Sequence, residues 1–464
     1  MKNKNNPADN KMASMKEGKL LLNMALPMIA SMLVQALYNI VDSLYVAKIS
    51  ENAVTALGLA FPVQNMLIGF ATGIAVGVNS LFSRSLGAGD REEVDRCSGN
   101  GITLSFLASL LFVLFGLIGA RPFFAVQSGI ADIVNSGTSY VSICCIFSLG
   151  IFFEILFERM LQASGRTLFT MITQGLGAIL NIILDPMFIF GYGFFPKLGI
   201  AGAAVATVIG QWAAAILALI FNLLCNKDVR IRLQMLRLRA NTVKQILVVG
   251  IPSTIMMAIS SVMNFCMNGI FMRLDPDGIA AGVFGLYYKL QSFFFMPLFG
   301  LNNATISIVA FNYGSRQPKR ILKTLKVSCG IAFGIMMLGL LVFQIFPAQL
   351  LGLFGGNFAV YGVSALRIIS LHFPIAAFCI VLGATFQALG NGIYSSITAL
   401  CRQLLALLPA AYLLSLTGEV NAVWWAFPIA ELFSLLATAF FFLRIYKKKI
   451  KPLYDETPSS VPLS

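Results

Sequence analysis

Charge is scarce in this chain. Asp, Glu, Lys and Arg make up 11% of its 464 residues, against 58% apolar residues. A water-facing globule of that composition would lack the polar side chains to cover itself, which excludes an array of soluble domains. Histidine is scarcer still, with His372 alone. A single histidine, with no nucleophile–base pair and no ligand cluster, argues against an intramembrane enzyme or a zinc centre. The cysteines are scattered. Cys144, Cys145, Cys266, Cys329, Cys379 and Cys401 fall inside apolar runs without zinc or redox spacing, and read as small packing residues. The Gly87–Gly89 turn has neither a following Lys-Ser/Thr pair nor a preceding strand, which rules out a phosphate loop. No cleavable leader is expected, because the first 17 residues are polar and the apolar run from Leu20 is too long for a signal-peptide core.

Long apolar runs are what the chain has in abundance. A spanning helix needs about 20 apolar residues at a rise of about 1.5 Å each. Twelve such runs fit, over roughly 20–47, 54–82, 98–119, 135–160, 167–190, 199–225, 244–273, 279–311, 327–347, 362–389, 394–416 and 420–444. The expected fold class is an all-α polytopic membrane protein with 12 transmembrane helices. The net charge of +14 is a topology signal and not a nucleic-acid footprint. With the N-terminus inside, Lys2 to Lys19, Lys227 to Lys244, Arg316 to Lys326 and Arg444 to Lys451 bring their basic residues to the cytoplasm. The outer loops hold only Lys48, Arg121, Lys197, Arg273 and, at an edge, Arg367. That asymmetry is the positive-inside pattern for an even number of spans with both termini cytoplasmic.

Ionisable and amide side chains inside such runs are costly and mark pathways. Gln35, Tyr38, Asn39 and Asp42 share one helical face by their offsets of three, four and seven, and Pro27 upstream supplies a hinge. Within Leu180–Gln211, Asp185 follows Asn181 by one turn, so both can point at one spot. Pro186 comes next and cannot donate to the Ile182 carbonyl, which leaves an oxygen near the acid and the amide. Plainer roles stay open: Asp185 as a neutral bonded group in the bundle, Asp42 as a hydrated cap near the outer interface. Glu154 and Glu158 share a face beside Arg159, and either form a structural ion pair or line a pathway for a cationic substrate. In the second half, Lys289 either pairs with an acid or changes protonation, and His372 is either a packing residue or a titrating one.

The chain repeats itself weakly. Ala25–Ile49 aligns with Gly250–Leu274, so that Pro27 falls on Pro252 and Asn39 on Asn264, 225 residues apart; Leu161–Thr173 aligns with Phe386–Thr398 at the same offset. Both halves begin inside, which makes the repeat parallel, about an axis along the membrane normal. The expected organisation is a cytoplasmic tail (1–18), a first six-helix lobe (19–226), an amphipathic connector (227–243), a second lobe (244–446) and a C-terminal tail (447–464). The connector's basic and apolar alternation predicts a surface helix along anionic headgroups. Asp42 falls on Met267, and Asp185 lands in the acid-free Leu404–Leu414 run, so ion chemistry concentrates in the first lobe.

These residues together resemble a known family. Pro27 and Asp42, the Gly87-Ala-Gly turn, LNIILDP with Asn181 and Asp185, GIAGAAVATVIGQ with Thr207, and the Tyr288–Gly314 stretch are similar to multidrug and toxic compound extrusion (MATE) transporters of the DinF-like prokaryotic branch. The resemblance spans about Lys19 to Arg444. It implies two six-helix lobes around a V-shaped cavity and export of lipophilic, cationic drug-like compounds against Na⁺ or H⁺. Residues matching Asp42, Asn181, Asp185 and Thr207 form the branch's first-lobe cation site. No metal other than a possible Na⁺ there, and no cofactor, is implied. Gln35, Tyr38, Asn39, Glu154 and Lys289 are the candidates for the substrate pathway, with Pro27 and Pro186 as hinges. The chain is expected in the plasma membrane, as a monomer whose partners are the bilayer and a small molecule. The alternative is a lipid-linked oligosaccharide flippase, but it would want many cations for a pyrophosphate, and only Arg159, Lys289 and Arg402 lie at membrane depth.

Overall fold

The computed structural model describes residues 10–47, 49–193, 195–230, 232–352 and 359–456. Among them there is no strand. Ten helices are long and apolar enough to cross a membrane, and two bent pairs bring the possible spans to twelve. In the first half these are α1 (Glu17–Ala47), α2 (Glu51–Ala88), α3 (Arg91–Leu114), the pair α4 (Ala131–Ile146) and α5 (Leu149–Ala163), α6 (Thr167–Phe190) and α7 (Ile200–Leu224). In the second half they are α8 (Ala240–Leu274), α9 (Ile279–Gly314), α10 (Pro318–Ile345), the pair α11 (Ala359–Ser370) and α12 (Phe373–Ala388), the span Gly392–Ser415 that opens with α13 (Gly392–Leu400), and the span Val420–Tyr454 that contains α14 (Ala426–Ile445).

The helix ends follow from local chemistry. Ser50 caps α2 by accepting from Ala53 N at 3.1 Å. Gly89 closes α2 in the left-handed region (φ 79°), and Asp90 opens α3 by accepting from Glu93 N at 3.0 Å. The Gly87–Gly89 turn is thus a helix stop followed directly by a helix start.

The fourth and tenth spans are bent, by 47° and 51°, where the sequence reading drew single runs. His372 sits at the second break, its Nδ1 bonded to the Ile369 carbonyl at 2.6 Å, with Pro374 opening α12. The eleventh span is π-helical over Cys401–Leu407. Pro409 lies just beyond and cannot donate to the Leu405 carbonyl, which favours that slip in register.

The chain divides into two compact units. The first is Leu26–Thr254; the second joins the residues up to Ala25 to Ile255–Ser464. Both divisions fall within three residues of a helix proline, Pro27 in α1 and Pro252 in α8. In the first unit, the start of α8 lies against α2 at two glycines: a Cβ at Gly250 would stand 2.9 Å from the Gly73 carbonyl oxygen. In the second unit, Arg320 gathers the segment before α1, donating to the carbonyls of Met12 (3.0 Å) and Met15 (2.9 Å) and to Asn312 Oδ1 (3.0 Å). Lys323 pairs with Glu17 at 3.0 Å alongside.

Among the described residues, the surface helix expected over the connector is not formed: Leu233–Leu236 make a short 3₁₀ turn, and from Ala240 the chain already belongs to α8. Side chains of α3 take the backbone groups instead: Asn100 donates to the carbonyls of Met235 (3.2 Å) and Arg237 (3.3 Å), and Thr103 to that of Leu236 (2.7 Å). The amides of Arg239 and Arg230 donate to Asn100 and Asp95, each at 2.8 Å. Such side-chain bonds compete directly with helical ones.

Candidate functional site

Helices α6 and α7 are joined through glycines. A Cβ at Gly210 would stand 2.9 Å from the Gly177 carbonyl oxygen, and Gly202 meets the Phe188 backbone more closely still. Small residues let two membrane helices approach to backbone contact. Asn181 lies one turn from Gly177, and Thr207 three residues from Gly210, so the same seam brings these polar groups face to face. With the Asn181 amide oriented by its hydrogen bonds, Nδ2 donates to Asp185 Oδ2 at 2.7 Å. Its oxygen accepts from the Thr207 hydroxyl (3.1 Å) and Thr207 N (3.2 Å). Asp185 is fully buried and Asn181 is 3% exposed. A carboxylate this deep would be costly without such bonds.

Three of the four residues expected at a cation site therefore converge. The side chain of the fourth, Asp42, lies outside the described residues, as do those of Tyr38 and Asn39; the backbone of all three is helical within α1. Gln35 and Lys289 are exposed, with no polar side-chain partner among the described residues. Pro27 and Pro186 both lie inside helices.

The Glu154–Glu158 pair resolves unequally. Glu158 is buried, and its carboxylate accepts from Thr173 Oγ1 (2.8 Å) and Gln174 Nε2 (2.7 Å). Arg159 turns to Gln162 Oε1 (3.0 Å), and among the described residues it forms no ion pair with either glutamate. Glu154 is half-buried. It stands midway between Glu158, which faces α6, and Gly150, which faces the Trp212 ring of α7. By helical spacing it lies on the face of α5 that carries both of those contacts. The sequence reading gave no role to Thr173, Gln174 or Trp212. The available signal was spacing: Gln174, Asn181 and Asp185 follow one another by seven and four along α6.

In the second unit, Glu431 is 2% exposed and faces Arg402 at 3.6 Å. His372 is buried against the rings of Phe373 and Phe427.

The MatE family model matches this chain twice, over residues 27–187 and 252–413. The two matches begin at the paired prolines, at the spacing of the internal repeat. A Shewanella oneidensis protein named as an FAD transporter is 25% identical, over 92% of this chain and 95% of its own length. The multidrug export protein MepA of Staphylococcus aureus is 23% identical, over 90% and 92%. Among solved structures, a MATE protein in complex with MaL6 superposes with a TM-score of 0.88 at 26% identity, covering 96% of this chain and 99% of that one.

Proposed function

The chain belongs to the MatE family of membrane transporters, and from that premise we propose that it is a Na⁺- or H⁺-coupled antiporter exporting lipophilic organic cations. The observation that carries this reading is the buried Asn181–Asp185–Thr207 cluster. An amide has a donor end and an acceptor end. With Nδ2 towards Asp185 it stabilises an ionised carboxylate. Turned over, it donates to Thr207 Oγ1 across the same 3.1 Å and offers its oxygen to a protonated acid or to Na⁺. The cluster can therefore take either polarity without moving a helix.

Asp42 supplies the second carboxylate in this mechanism. Two acids close together in low dielectric cannot both stay charged without a compensating cation. Loading that cation from outside shifts the outer part of α1 about Pro27 and expels the substrate. The Glu154 carboxylate and the Trp212 ring suit the substrate's positive end, since aromatic faces attract cations. The protein then works as a monomer in the plasma membrane with both termini cytoplasmic. The few cations at membrane depth disfavour a flippase, which would need them to hold a pyrophosphate.

The test is dye efflux in inverted vesicles with Na⁺ and pH gradients imposed separately. Asp42→Asn and Asp185→Asn should insert normally and lose gradient-driven efflux. Undiminished efflux by either variant at equal expression overturns the mechanism. A flavin dinucleotide, the cargo named for the Shewanella relative, is the second cargo to run in the same vesicles, because exposed Lys289 offers a cation for its phosphates.

A further inference from the structure

Arg402 is an arginine at membrane depth that makes no hydrogen bond among the described residues. Its nearest charge, Glu431 Oε2, is 3.6 Å from Nη1, a Coulombic contact too long for a hydrogen bond. A guanidinium stays charged and carries five N–H donors in a flat fork. Buried or half-buried donors of that kind are normally satisfied. Arg320 of the same unit shows the ordinary case, with three acceptors around it.

Arg402 is the open member of its pair. Its side chain is 28% exposed, whereas that of Glu431 behind it is 3% exposed. Tyr287 and Tyr288 of α9 and His372 at the α11–α12 break lie within its electrostatic reach. It sits on the π-helical stretch Cys401–Leu407, and irregular turns of this kind concentrate at functional sites. The repeat sharpens the contrast. At the offset that pairs Thr173 with Thr398, Arg402 occupies the place of Gly177, where the first lobe closes a tight glycine seam. The second lobe puts a charged fork at that point and holds it with a single buried acid.

We propose that Arg402 is a binding point for an anionic group, a carboxylate or a phosphate, with Glu431 positioning the guanidinium from behind. A planar fork matches the two oxygens of such a group in a bidentate contact. This rests on the export reading above and narrows its cargo: compounds carrying an acid as well as a basic nitrogen are held better than cations alone. An anionic lipid headgroup offers the same chemistry, and the experiment separates the two sources.

The probes are an amphoteric fluoroquinolone, which has a piperazinium and a carboxylate, and its methyl ester, which has only the cation. Equilibrium binding to purified protein uses no ion gradient, so its outcome is independent of whether transport is cation-coupled. In phosphatidylcholine nanodiscs the wild type should bind the acid at least about tenfold tighter than the ester, about 1.4 kcal/mol. Arg402→Gln should bind both alike, with ester affinity unchanged, and Arg402→Lys should fall between, since a point charge lacks the fork. A second arm counts phosphatidylglycerol retained by wild type and Arg402→Gln in native mass spectrometry. Loss of one retained lipid without any acid preference assigns the site to a headgroup. Equal binding of acid and ester by the wild type, together with unchanged lipid retention, overturns the proposal. A loss of both ligands in Arg402→Gln to the same degree overturns it too, as a purely structural arginine would behave in that way.

Discussion

Replacing Gly210 by alanine should open the α6–α7 seam and disable the cluster beside it. An added Cβ would stand 2.9 Å from the Gly177 carbonyl oxygen and 3.7 Å from Asn181 Cβ. A carbon–oxygen contact of this kind settles at about 3.4 Å, so the two backbones must part by roughly 0.5 Å. The Asn181–Thr207 bond, at 3.1 Å, then stretches to about 3.6 Å and is lost. Overpacking costs about 1–3 kcal/mol and the lost hydrogen bond about 1 kcal/mol, against a gain of about 0.5–1 kcal/mol from replacing a helical glycine. The net is a destabilisation of about 1–3.5 kcal/mol. Gly177→Ala is the control. Its Cβ would meet Gly210 O and Ala214 Cβ at 3.3 Å, a contact that small relaxation absorbs, so the helix gain should leave it neutral. Thermal unfolding in detergent and gradient-driven efflux should rank Gly210→Ala well below both Gly177→Ala and the wild type. If Gly210→Ala melts with Gly177→Ala and exports at the wild-type rate, the seam does not hold the cluster in register.

Three further outcomes follow from the same geometry. Glu158→Gln turns an amide donor towards Thr173 or Gln174, and losing one charge-assisted bond should cost about 1.5–3 kcal/mol, read as a lower melting temperature. Arg320→Ala frees the carbonyls of Met12 and Met15; a cysteine placed at the fully buried Met12 should then react with an impermeant maleimide in inverted vesicles at least several-fold faster than in the Arg320 parent. Asn100→Leu removes both acceptor and donors from the connector, and should bring limited proteolysis to residues 232–239 without affecting insertion.

Much of this was legible in the sequence because the bilayer leaves little choice. Backbone groups in lipid must bond internally, so each apolar run of sufficient length becomes a helix. The shared face of Asn181 and Asp185 was legible for a related reason, since residues four apart on a helix are neighbours; Thr207 was placed with them only by the family resemblance. Bends were not legible. The break at His372 and the π-helical turn at Arg402 depend on local hydrogen bonding that hydropathy does not register. The connector failed for a different reason. Its amphipathic pattern is real, but Asn100, Thr103 and Asp95 bid for the same backbone groups from more than a hundred residues away. Periodicity carries no information about a distant competitor. Of the two readings open for the glutamates, the ion pair with Arg159 is not formed among the described residues, because Thr173 and Gln174 reach Glu158 from the neighbouring helix.

Helix α6 links the two chemistries ascribed to the first unit. Gln174 holds Glu158 at one end of a polar stripe, and Asn181 and Asp185 occupy the same stripe seven and eleven residues on. At about 1.5 Å per residue, the Gln174 contact to Glu158 and the Asn181–Asp185 cluster lie about 10–16 Å apart along α6. At that separation direct electrostatic coupling is weak across water but appreciable through a low-dielectric interior. In the proposed antiport, a cation gained at Asp185 would therefore disfavour a positive charge beside Glu154, and the reverse would hold by linkage. Antiport needs this sign of coupling. It requires no contact between cargo and ion, only a shared helix rigid enough to keep both sites in register, which the glycine seam with α7 provides.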